Sequence, residues 1–131
     1  MQNIEQEVNI PAKPETIYDA LMDEKIHSDF TGASATIENK IAGNFEVWDG
    51  YASGMNIELI PGKKIVQTWR ASDWPENAIS EISIDLSPDG EETRLNFRQK
   101  NIPDEFADDV EQGWYDFYWQ PLIKYFKEIK K

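Results

Sequence analysis

Apolar residues recur along this chain with two different periods. Ile4, Gln6, Val8 and Ile10 share one parity against Glu5, Glu7 and Asn9, the alternation of a half-buried strand that "PAKPE" then stops. From Glu15 the period changes. Ile17, Tyr18, Leu21 and Met22 recur at helical spacing, with Pro14 in the first turn, where its missing N–H costs nothing. "DEKIHSDF" predicts a second short helix. Period two then returns in "ASATIEN", "GNFEVWDG", "ASGMNIELI", "KKIVQTWRA", "SEISIDL" and "ETRLNFRQ", which predict six further strands. Pro61–Lys63 ("PGK") and Ser87–Glu91 ("SPDGE") supply the proline and glycine of tight hairpin turns, so neighbouring strands run antiparallel.

After "NIPDEF" the helical period runs to the C-terminus. At about 100° per residue, Val110, Trp114, Phe117, Tyr118, Pro121, Leu122, Tyr125 and Ile129 share one broad face, the expected core face. Gln112, Asp116, Gln120 and Lys127 lie opposite. Trp119 and Ile123 fall outside the apolar arc, toward the polar side, which makes them candidates for a partner surface. Asp104, Glu105, Asp108, Asp109 and Glu111 sit at the positive end of the helix dipole, and Lys124, Lys127, Lys130 and Lys131 at the negative end. Pro121 interrupts this consistency. It deletes the hydrogen bond to the Phe117 carbonyl, at about 3 kcal/mol when nothing compensates, and is expected to bend the helix toward a curved sheet.

A chain of 131 residues buries one core, so residues 1–131 are expected to form a single domain. A formal net charge of −12 repels phosphate backbones and anionic headgroups, which argues against nucleic acid and membrane partners. With no cysteine there is no disulfide, thiolate metal site or cysteine nucleophile. The N-terminus lacks the basic start and apolar run of a signal peptide, and the expected compartment is the cytoplasm.

Enzyme chemistry finds little support. The one histidine, His27, has Asp23, Glu24 and Asp29 nearby in sequence, but no GxSxG elbow and no second histidine accompany it. A structural or surface role is expected. The carboxylates are scattered as on an acidic surface, and Gly43, Gly50 and Gly54 make no phosphate cradle, so neither metal nor cofactor is implied.

"DFTGASATIE", "GNFEVWDGYASGMNIELIPGKKIVQTWRASDWPE" and "GWYDFYWQPLIKYF" resemble the C-terminal domain of the heat-shock protein 90 ATPase activator family, from about Ile4 to Phe126. Phe30, Thr31, Gly32, Gly43, Phe45, Gly50, Gly54, Trp69, Arg70, Trp74, Pro75, Gly113, Trp114 and Tyr118 match its pattern. The resemblance implies the START-like (SRPBCC), birch-pollen-allergen-like helix-grip fold. This is an α+β arrangement in which a curved seven-stranded antiparallel sheet wraps a long C-terminal helix, with two short helices after the first strand. The element order read from periodicity is the same. Eukaryotic members carry a separate N-terminal domain that engages the chaperone's middle segment. This chain starts at the first strand of the second domain, so weak ATPase stimulation at most is expected of it.

A sheet curled around a helix encloses a cavity. Trp48, Met55, Trp69, Trp74, Trp114 and Tyr118 are the candidates for its lining, although the same rings with Phe45, Phe97 and Phe117 can fill it to core density. A filled or small cavity is the expectation. Trp74, held extended before Pro75 in a surface connection, is either a partner contact, with Trp119, or a lid over the cavity. The expected activity is non-enzymatic binding of a small apolar ligand or of a chaperone of the heat-shock protein 90 class. The alternatives are a stress-response co-chaperone and a small-molecule cyclase or hydrolase.

Overall fold

The computed structural model describes residues 1–129, so the expected contribution of Lys130 and Lys131 to the helix end lies outside the described residues. Strand β1 (Gln2–Ile10) is followed by helices α1 (Pro14–Met22) and α2 (Glu24–Thr31). Strands β2 (Thr36–Ile37), β3 (Asn44–Val47), β4 (Ala52–Ile60), β5 (Lys64–Ala71), β6 (Ser80–Asp89) and β7 (Glu92–Ile102) come next. They form one seven-stranded sheet in the order β1-β7-β6-β5-β4-β3-β2, every neighbouring pair antiparallel. The edges are β1 and β2, and α1 with α2 connects them. The hairpins turn at the predicted glycines, Gly62 at φ +75° and Gly90 at φ +66°, while Ser87 and Pro88 of the second predicted turn still pair within β6.

The strand predicted from "ASATIEN" shrinks to two residues, and side chains accept from backbone donors before and within it. Asp49 Oδ1 accepts from the Ser34 N–H and Glu24 Oε1 from the Ile37 N–H. In β4 the inward parity belongs to Gly54, which pairs with inward-facing Phe45, whereas Met55 pairs with exposed Asn44. Met55 is 40% exposed, which corrects its placement in the cavity lining. Gly54 has no alternative residue: a Cβ there would stand 1.9 Å from the Thr68 carbonyl oxygen. That close approach lets the Thr68 hydroxyl accept from the Met55 N–H.

The C-terminal helix departs most from its sequence reading. A 3-10 turn (Asp104–Phe106) leads into α3 (Ala107–Trp114), a π-turn (Tyr115–Trp119) and α4 (Gln120–Ile129). In the π-turn the Gln120 N–H reaches back five residues to the Tyr115 carbonyl, so residues five apart lie above one another. Trp114 and Trp119 therefore stack, ring centroids 5.5 Å apart and planes 20° from parallel. Trp119 is fully buried, which overturns its placement on a partner surface, while Phe117 and Ile129 turn out to solvent. The predicted face holds for Trp114, Tyr118 and Leu122 and is interrupted by the extra residue in the turn.

Two strand glutamines lock this helix in rotation. Trp119 Nε1 donates to Gln6 Oε1 at 2.8 Å, and Gln6 Nε2 donates to the Glu111 carbonyl at 2.8 Å. Trp114 Nε1 donates to Gln99 Oε1 at 2.8 Å, and Gln99 Nε2 continues to Ser80 Oγ at 2.9 Å. Gln6 shares the inward parity read from β1. The π-turn ends just before the Gln120-Pro121 step, and its wider spiral displaces the Phe117 carbonyl that a proline ring would otherwise meet.

Replacing Gln6 by leucine strands a buried indole N–H. Urea unfolding should show a loss of about 1–3 kcal/mol, and an unchanged midpoint would show that this clamp holds nothing. Pro121→Ala restores a backbone donor but leaves Trp119 committed to the sheet, so its stability should stay within about 1 kcal/mol of the parent. A larger gain would mean that the proline opposes the fold.

Candidate functional site

Three segments meet beside the exposed end of the π-turn. The first is the β3–β4 turn, where Trp48 (φ +56°), Asp49 (φ +57°) and Gly50 (φ +90°) follow one another in the left-handed region. That conformation is uncommon for a bulky residue such as Trp48. The turn is tied to the segment after α2, because Asp49 Oδ1 accepts from both the backbone N–H and the hydroxyl of Ser34, at 2.9 and 2.8 Å. Those two bonds hold the Asp49 carboxyl below its usual range. So anchored, Trp48 sets its ring edge-on to Phe117 at 5.4 Å and to Tyr118 at 6.0 Å.

The second segment joins β5 to β6. The Arg70 guanidinium donates to the carbonyls of Trp74 and Pro75, at 3.2 and 3.3 Å, and the Trp74 N–H donates to the Ala71 carbonyl at 3.1 Å. The connection is thereby folded back, and Trp74 packs at 4% exposure against Trp69 and Phe106. Trp74 is thus neither an exposed partner contact nor part of the cavity lining, which corrects both placements: it backs the wall that Trp69 forms. The third segment is α3 with the π-turn, which contributes Asp109, Val110, Gly113, Trp114, Phe117 and Tyr118.

Between them lies a cleft of about 390 Å³, completed by Tyr51, Asp73 and Phe106. A second, inner cavity of only about 30 Å³ lies deeper between sheet and helix, room for a few waters at most, each needing ~10–15 Å³. Trp69, Trp114 and Tyr118 line both spaces. They form an aromatic partition, with Trp114 5.7 Å from Trp69 and 4.7 Å from Tyr118 between ring centroids. Four of the lining residues read from the sequence, Trp48, Trp69, Trp114 and Tyr118, are brought together here.

Sequence reasoning missed Tyr51, Asp73, Phe106 and Asp109, and gave Phe117 to the core. The one available signal was "WDGY", a turn whose Asp-Gly step favours positive φ beside a tryptophan. The Tyr51 phenol is pushed up first by burial and then by the carboxylates of Asp73 and Asp109. Both acids therefore act on one point of the cleft.

Behind the partition, His27 is buried. Its Nδ1 lies 3.2 Å from the Leu21 carbonyl, which can only accept, so Nδ1 carries the proton and Nε2 accepts from the Tyr118 hydroxyl at 3.1 Å. Asp23 instead caps α2 through the N–H groups of Lys25 and Ile26. Burial, partly opposed by the Leu21 bond, lowers the His27 pKa to about 4. Burial also raises the Tyr118 hydroxyl, partly opposed by the Trp48 side chain. With both ring nitrogens engaged and room beside them for water only, this pair is built to hold helix against core. Among the described residues no group of three or more histidines and carboxylates is placed to hold a metal ion, and no helix is long and apolar enough to cross a membrane.

The family model "Activator of Hsp90 ATPase homolog 1-like protein" matches residues 11–127. The chain is 32% identical over 113 residues to the human activator of 90 kDa heat shock protein ATPase homolog 1, covering 86% of this chain and 33% of that protein. It is 35% identical over 102 residues to the homolog from Dictyostelium discoideum, covering 77% and 27%. The chain thus spans about a third of the curated relatives it matches. In structure it resembles an HSP90 activator from Plasmodium falciparum, with a TM-score of 0.84, 22% identity and 92% coverage of both chains.

The buried histidine makes stability depend on pH. Unfolded, His27 takes up a proton near its ordinary 6.5, whereas folded it resists until about 4. Its contribution is therefore intact above the unfolded value and is lost as pH falls through this window. Between pH 7 and pH 5 the loss should be about 2 kcal/mol, and it should be absent from His27→Gln, so that it appears as the difference between the two profiles. Parallel pH profiles of the two in urea unfolding would exclude it.

Proposed function

We propose, for a chain that belongs to the family of Activator of Hsp90 ATPase homolog 1-like proteins, a binding function without chemistry of its own, exercised by the aromatic cleft. The observation that carries this reading is a space of about 390 Å³ walled by aromatic rings and open to solvent, within the size range of small-ligand sites. Trp48 supports it. A bulky side chain held at φ +56° beside the opening is the kind of local strain that accumulates at binding sites. The inner cavity has no room for a substrate, and His27 has no free nitrogen, which argues against the cyclase or hydrolase alternative. The guest is an apolar group resting on Trp48, Trp114 and Phe117.

A chaperone contact is the second reading, favoured by the names of the relatives. The chain matches a third of the human activator, and stimulation of a heat-shock protein 90 ATPase at near-stoichiometric concentration tests this reading. Strong stimulation would place this reading first.

Gly113 separates binding from folding. A Cβ there would meet only the Phe117 ring, at 3.6 Å, so Gly113→Ala costs nothing sterically and should gain about 0.5–1 kcal/mol from helix propensity. The same methyl narrows the cleft wall. Titration with the neutral fluorescent probe N-phenyl-1-naphthylamine should show binding by the parent, and binding about threefold or more weaker by the variant, roughly the effect of a misfitting methyl. A more stable variant that binds the probe unchanged would remove the cleft from consideration.

A further inference from the structure

Asp73 and Asp109 approach the cleft from different elements, one from the β5–β6 connection and the other from α3. Both are exposed, and among the described residues neither makes an ion pair. No lysine or arginine lines the cleft among the described residues. The cation on the adjoining strand, Arg70, points one guanidinium nitrogen at the carbonyls of Trp74 and Pro75 and makes no ion pair with either acid. Two carboxylates without an ion pair therefore stand at a cleft whose walls include Trp48, Tyr51, Trp114 and Phe117.

Ring faces carry negative quadrupole potential and attract cations, most strongly for tryptophan. Carboxylates at the mouth add to that attraction, and the chain's net charge of −12 raises the local concentration of cations and lowers that of anions. An apolar neutral guest would use the rings and leave this charge unused. Resting on the binding reading above, we infer that the cleft selects a small organic cation, an ammonium group on an apolar body, with the body on the rings and the charge between Asp73 and Asp109. Tyr51 lines the same cleft as both carboxylates, so the charge is placed beside its hydroxyl.

Three probes of one size class decide it, followed by tryptophan fluorescence and NMR shifts on the whole chain: benzyltrimethylammonium, neutral benzyl alcohol and anionic phenylacetate. The ammonium should bind about five- to tenfold tighter than the alcohol, and phenylacetate weakest. The preference should shrink as salt rises, because the carboxylates are exposed. In Asp73→Asn/Asp109→Asn, with folding checked by the urea midpoint, the preference, read as the ratio of ammonium to alcohol affinity in the same variant, should fall to about twofold or less. The inference is overturned if alcohol and ammonium bind alike, if phenylacetate binds best, or if the double variant keeps the full preference. In each of those cases the binding reading stands. If neither these probes nor N-phenyl-1-naphthylamine binds, the binding reading itself fails and takes this inference with it.

Discussion

The seating of the C-terminal helix depends on two buried indoles that each find an acceptor on the sheet. Trp114 and Trp119 lie within the core at 5% and 0% exposure, and a buried indole N–H without a partner is costly. Gln99 on β7 and Gln6 on β1 supply the acceptors, and since these strands are adjacent, the two bonds fix the rotation of the helix on the sheet. An α-helix cannot direct residues five apart at the same neighbours. The π-turn at Tyr115–Trp119 follows from that demand, and Pro121 is tolerated beside it because a widened turn has already given up the regular bonding pattern.

The cleft is a consequence of the same turn. Seating Trp119 in the core rotates Phe117 outward, where it meets Trp48 edge-on and becomes a wall. Packing of Trp69, Trp114 and Tyr118 then divides the space between sheet and helix into a small inner cavity and a larger outer slot. Tyr118 belongs to both functions: its ring faces the slot while its hydroxyl is tied to His27 behind it.

Rigid supports surround the slot. The β3–β4 turn is tied by Ser34 to Asp49, and the β5–β6 connection is tied by Arg70 and by burial of Trp74. Preorganised walls of this kind reduce the ordering cost of binding. Since the family model covers nearly the whole chain, the scaffold is shared, and the character of this site rests on the side chains that line it.

The order of strands and helices, the antiparallel pairing and the inward parity of Gln6 were legible in the sequence, because they follow from local periodicity and turn chemistry. So was the grouping of Trp48, Trp69, Trp114 and Tyr118, which rested on the resemblance rather than on spacing. Trp119, Phe117, Met55 and Trp74 were not. A helical wheel assumes one repeat throughout, and nothing local states that a turn will hold five residues; Pro121 signals an irregularity without its kind. Met55 faces outward because its β3 partner is Asn44, and Trp74 is buried because Arg70 reaches the carbonyls of its loop. Asp73 and Asp109, 36 positions apart in the chain, share a site only after the helix is seated. Periodicity records which side of an element is apolar, while convergence of distant side chains depends on how elements pack, and that only the tertiary structure decided.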